Sequence, residues 1–113
     1  MHEYSIVSAL YDRIVAEAGA RQATAVHAVH VRIGAVSGVE PGLLQTAYTL
    51  FTPGTLCEHA PLCIEEVEAR WACPACGGAP AKGARLVCPS CGAPVRLASG
   101  DEIDLVRIEL EVP

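Results

Sequence analysis

Six cysteines stand in this 113-residue chain, and four form two near-identical turns, Cys73-Pro74-Ala75-Cys76-Gly77 and Cys88-Pro89-Ser90-Cys91-Gly92. Two residues between thiols let one tight turn present both sulfurs to a single ion. The glycine after each pair allows a positive φ, which frees backbone N–H groups to point at sulfur. Four thiolates suit tetrahedral Zn(II) and leave no open coordination position, so Cys73, Cys76, Cys88 and Cys91 read as a structural zinc site and not a catalytic one. An iron–sulfur centre also takes four cysteines. A redox CxxC pair is a weaker alternative, because it usually opens a helix in a thioredoxin-like βαβ unit, which the pattern here lacks. Cys57 and Cys63 lie outside the turns and are expected as small semi-buried side chains; a Cys57/His59/Cys63 metal site is the sharper alternative.

The other residue able to do chemistry is His2. A free α-amine, the His2 amide and the His2 imidazole can close small chelate rings on one ion, and Glu3 adds an amide and a carboxylate beside them. Ni(II) and Cu(II) accept such near-planar nitrogen arrays, whereas Zn(II) prefers a tetrahedron. A bulky second residue should leave Met1 in place, keeping the amine in register. The bland alternative is a solvated, frayed chain end. A helix following directly would set its positive pole near the dication, so the site should hold metal less firmly than a thiolate cage, as suits a donor. His27 and His30, three apart in an alternating stretch, fall on opposite faces; His27 is expected in the core and His30 outside.

Elements that could position these groups follow from periodicity. Ile6, Val7, Leu10, Tyr11, Ile14, Val15 and Ala18 recur at helical spacing over 4–18, with Gly19 as the expected stop. Residues 25–34 alternate and are rich in β-branched side chains, which predicts a strand. Pro41 suits the first turn of a second helix with Glu40 at its positive end and Leu43, Leu44, Ala47, Tyr48, Leu50 and Phe51 as its apolar face; Thr52-Pro53-Gly54 ends it. Residues 62–69 read as a strand with poor alternation. Over 101–112, Val106, Ile108, Leu110 and Val112 face one way and Arg107, Glu109 and Glu111 the other. Residues 72–96 are too short and irregular to hold a core alone. The predicted fold is α+β: two helices packed on a small three-stranded sheet, with a four-cysteine, zinc-ribbon-like module inserted between two strands. Residues 1–70 plus 99–113 would form the α/β domain and 71–98 the zinc-binding domain.

Composition narrows the function. Apolar residues are 51% and aromatics 4%, so the core must be aliphatic. The net charge of −5 disfavours a general nucleic-acid binder or an acidic-lipid surface. Residues 71–98 carry Lys82, Arg85 and Arg96 and no acid. Once thiolates and a dication are included, little positive charge is left to grip a phosphate backbone, and the cations more naturally offset the anionic metal centre. No apolar run approaches a membrane span, and the start lacks a basic, then apolar, leader; a cytoplasmic location is the expectation. A zinc hydrolase would need an open coordination position and a base beside the turns, and neither is evident, so the chain is expected not to be an enzyme.

Taken together, Met1-His2-Glu3, the Gly34…Ser37-Gly38-Val39-Glu40-Pro41 turn, the paired CPxCG turns and the acidic C-terminal strand resemble the HypA/HybF family, in order and over essentially the whole chain. The resemblance implies a nickel metallochaperone of hydrogenase maturation. By position it makes His2 the main Ni(II) ligand, with the Met1 amine and the backbone of His2 and Glu3, and makes Cys73, Cys76, Cys88 and Cys91 the Zn(II) ligands. It further implies work with the GTPase HypB and docking on the large subunit of [NiFe]-hydrogenase, some members also serving urease. A homodimer would be open to the chain through an exposed edge strand. The alternative reading is a zinc-ribbon protein- or nucleic-acid-binding module without nickel delivery.

Overall fold

The computed structural model describes residues 2–113, and two helices and five strands follow in the order α1 (His2–Ala20), β1 (Ala25–Gly34), α2 (Pro41–Phe51), β2 (Leu62–Val67), β3 (Arg70–Ala72), β4 (Arg96–Ser99) and β5 (Ile103–Glu111). The periodic stretches become the expected helices; α2 keeps its expected start at Pro41 and stop before Thr52, and the ends of α1 differ. The first helix begins at His2 and runs through Gly19; it stops where Gln22 takes φ 54° and the Ala23 N–H reaches back to the Ala18 carbonyl at 2.8 Å. A left-handed residue with a six-to-one hydrogen bond terminates helices, and here glutamine fills the place usually held by glycine. Glu40 caps α2 by accepting the Leu43 N–H at 2.7 Å. Pro41 occupies the first turn, where its missing N–H costs nothing.

Strand order is β2-β1-β5, with β2 parallel and β5 antiparallel to the central β1. The helices contribute Val7, Leu10, Ile14, Leu44, Ala47 and Tyr48 to a core completed by Val26, Val29, Val31, Ile33 and Leu62. Apart from Tyr48 and Cys57 it is aliphatic, in line with the scarcity of aromatics. Simple alternation fails along the strands, because the β1–β5 ladder shifts register between Val26 and Ala28 and again between His30 and Val31. A bulge inserts a residue and flips the faces beyond it. Two assignments reverse in consequence. His27 is exposed and its ring meets Glu111 at 3.2 Å, whereas His30 is the half-buried one, paired with Glu109. On β5, Leu105 joins Ile108 and Leu110 against the core, while Val106, and Val112 just past the strand, are exposed. Val15, Leu43 and Leu50, counted by spacing as core, are also exposed.

Beyond Gly34, β1 leaves the sheet, and its two neighbours close on one another. Strand β2 continues into β3, β4 leads into β5, and β3 and β4 pair as an antiparallel ribbon that the sequence did not announce. This ribbon carries the cysteine turns and stretches the molecule to 56 × 27 × 17 Å. Its radius of gyration is 18.0 Å, against about 13 Å for a compact chain of this size. The crossing is tight. Gly34 donates to the Glu102 carbonyl at 2.7 Å and Val36 to that of Gly100 at 2.8 Å. A Cβ at Gly34 would overlap the Gly100 carbonyl and fall 2.6 Å from the Asp101 nitrogen, and Gly100 itself sits at φ 110°. Gly34→Ala is therefore expected to destabilise the fold by about 2–3 kcal/mol. Urea unfolding checks this: the midpoint should fall with the slope unchanged.

Candidate metal centre

Each cysteine turn is built by its own backbone. In the first, the Gly77 N–H donates to the Cys73 carbonyl at 2.9 Å and the Cys73 N–H to the Gly78 carbonyl at 2.7 Å. In the second, Gly92 donates to Cys88 at 2.8 Å and Cys88 to Ala93 at 2.8 Å. Gly77 and Gly92 hold φ 78° and 74°, the left-handed geometry expected for them. The Val87–Pro94 bridge and the β3–β4 ribbon bring the two turns face to face.

All four sulfurs lie within 4.8 Å of one another. Cys73–Cys91 is 3.6 Å, Cys76–Cys88 3.4 Å and Cys76–Cys91 3.9 Å. Around a zinc ion with bonds of about 2.3 Å, the edges of a thiolate tetrahedron measure about 3.8 Å. The donor set and its spacing therefore fit a closed tetrahedral dication. Cys73 and Cys88 are buried, while Cys76 and Cys91 reach the surface.

Backbone dipoles favour charge on the sulfurs. The N–H groups of Cys91 and Ser90 pull the Cys88 thiol down to about 6, and those of Cys76 and Ala75 lower Cys73 in the same way. The Gly78 N–H favours the Cys76 thiolate too, but neighbouring sulfurs to which Cys76 donates its proton push it up to about 12. Cys91, aided by the Ala93 N–H, is likewise raised by Cys73 and Cys88. Four anions cannot share so small a volume without a cation, and a dication supplies the missing charge. Gly78 is a constraint the spacing argument missed: a Cβ there would come within 3.0 Å of Cys88 Sγ. Its only signal is the second glycine after Cys76.

Other sequence-derived candidates are placed apart. His2 is exposed and opens α1, and Glu3, half-buried, follows it in the same turn. The Met1 amine, the third group of that chelate, lies outside the described residues. Cys57 is fully buried, its thiol pushed up by desolvation, and Cys63 is half-buried. Among the described residues, only the four turn cysteines gather as a metal-binding group, so Cys57, His59 and Cys63 do not form a second one. No helix of the described residues is long and apolar enough to cross a membrane.

A two-helix, three-stranded scaffold extended by a tetrathiolate ribbon defines a small metal-handling protein. Comparison with known proteins makes this specific. Residues 1–110 match the family model for HypA, hydrogenase/urease nickel incorporation, metallochaperone. Hydrogenase maturation factor HypA of Shewanella oneidensis is 41% identical, covering 98% of this chain and 96% of its own. That of Aquifex aeolicus is 40% identical over 99% of both chains. The solution structure of the Ni metallochaperone HypA from Helicobacter pylori superposes with a TM-score of 0.74 at 29% identity, covering 98% of each chain. A further HypA solution structure gives 0.79 at 29% identity, over 100% of this chain and 98% of the other. The chain belongs to the HypA family of nickel-incorporation metallochaperones.

Proposed function

We propose that this protein binds one Ni(II) through the Met1 amine, His2 and Glu3, and passes it by ligand exchange to the large subunit of a [NiFe]-hydrogenase. No covalent chemistry is needed, so it acts as a carrier and not an enzyme. The observation that carries the reading is the whole-chain family match together with a helix that starts at His2. Helical geometry offers no carbonyl acceptor to the first N–H groups of a helix, so the His2 and Glu3 amides lose no helical bond when a metal claims them. The exposed imidazole stands beside them. The positive pole of α1 opposes a dication there.

In this reading the four cysteines hold Zn(II) as a structural ion, and residues 71–98 form a domain separate from the nickel-binding one, 1–70 plus 99–113. The cytoplasm, where thiols stay reduced, suits six unpaired cysteines. A GTPase of the HypB type is the expected partner in loading, urease maturation proteins are a second class of client, and the exposed β5 edge would serve a homodimer. The −5 net charge and the scarcity of aromatic residues speak against a nucleic-acid module.

Native mass spectrometry of the untagged chain titrated with Ni(II) tests the assignment. One nickel per chain is expected beside one zinc. Adding one residue before Met1 displaces the amine and should weaken nickel binding while leaving zinc in place. Equal nickel affinity for the extended chain would remove the amino terminus from the site.

A further inference from the structure

Aromatic side chains are scarce in this chain, yet three of its five, Tyr4, Tyr11 and Phe51, touch one another. Phe51 meets Tyr4 edge-on, with ring centroids 5.4 Å apart at 63°, and Tyr11 at 5.3 Å and 61°. Both lie in the attractive edge-to-face range. The far end of this chain of rings is anchored, because the Leu56 N–H donates to Tyr11 Oη at 3.3 Å. Phe51 is itself fixed as the last residue of α2, where the buried Thr52 donates to the Tyr48 carbonyl at 3.1 Å. The near end is Tyr4, two residues after His2 and 45% exposed. Its described ring contact is with Phe51, which packs against the core.

We propose that Phe51 is a positioning residue for the metal chelate, holding Tyr4 so that the rearrangement of His2 and Glu3 around a cation stops at the fourth residue. This rests on the nickel reading above. Successive backbone nitrogens that share one ion form small rings, and those rings do not keep helical dihedrals. Binding must therefore unwind the start of α1. The carbonyls of the first turn still accept helical hydrogen bonds, and breaking these resists the spread of that unwinding. The ring contact adds to that resistance at the fourth residue and lowers the ordering cost of binding. It also explains why a half-exposed tyrosine occupies this place and why α2 ends on phenylalanine.

The test uses the full untagged chain and Ni(II) alone, with affinity read by competition calorimetry and first-turn order by amide hydrogen exchange over residues 4–7. Phe51→Ala should weaken nickel binding roughly three- to tenfold, the equivalent of one aromatic pair. It should also speed exchange at the start of α1 and leave zinc content unchanged. Phe51→Tyr, which keeps a ring, should restore both. Ile108→Ala is the control for general loss of stability, since Ile108 packs on the same core outside the ring cluster. Its nickel affinity should match wild type. Wild-type affinity in Phe51→Ala while His2→Ala loses binding would overturn the positioning role alone. Wild-type affinity in both would overturn it together with the nickel reading. Weakening by Ile108→Ala equal to that by Phe51→Ala would overturn it as a mere stability effect.

Discussion

His2→Ala should abolish stoichiometric nickel binding. Losing only an outer partner of a metal ligand costs roughly 10–100-fold in affinity, and losing the imidazole itself should exceed the upper end, about 100-fold. The substitution removes no packing, because His2 is exposed and the first buried residue of α1 is Val7. Thermal stability and zinc content should therefore stay at wild-type values, which separates a lost ligand from a lost fold. Nickel affinity of the wild-type chain should itself fall as pH drops. The imidazole must be neutral and an amide must release its proton before either donates to the metal. Calorimetry at two pH values, on wild type and variant together, checks both statements. Unchanged affinity in His2→Ala would place the cargo elsewhere.

Cys88→Ser should be equally severe, but on the other metal. Cys88 is buried, and backbone N–H groups from Cys91 and Ser90 already favour its thiolate. A serine hydroxyl offers zinc a far weaker ligand. Structural zinc sites of this kind contribute apparent binding free energies of about 10–16 kcal/mol, and that energy is folding energy. The expected result is loss of zinc by elemental analysis and loss of ordered structure over the cysteine turns. Trp71, the only tryptophan, lies on β3 at the foot of those turns, so its fluorescence reports the loss directly. Acidification should produce the same change in the wild type, since protons compete with the ion for every thiolate. Cys57→Ser is the matched control: that side chain is buried in the main core, and the variant should keep its zinc. Full zinc content in Cys88→Ser would rule out the four-sulfur site.

The four-cysteine cluster was readable in the sequence because its geometry is local. Two CPxCG turns determine where their sulfurs point, and only the pairing of one turn with the other depends on the fold. The helices were readable as well, since spacing over three or four turns exceeds the noise of any single residue. The strands were less so. Alternation gives the right faces only while the ladder keeps step, and bulges beside His27 and between Arg107 and Leu105 exchange inside for outside. The β3–β4 ribbon left no trace because three- and four-residue strands carry no period to detect. The ring cluster at Phe51 was invisible for a different reason. It joins Tyr4 to a residue 47 positions further along the chain, and nothing in either segment names the other.

The paired exit of the ribbon from the sheet has a consequence for how the molecule assembles. To lie beside β1, strand β5 must return after residues 68–102 have intervened since the end of β2. Capture of one ion by Cys73, Cys76, Cys88 and Cys91 would fold that excursion into a ribbon whose ends, Arg70 and Ser99, are neighbours. The loop left to close shrinks to a handful of residues, and the chain entropy saved is about 2 kcal/mol. An ion held by the four cysteines would thus assist closure of a sheet that none of them joins, and a metal-starved chain would pay for the sheet with the entropy of an open loop.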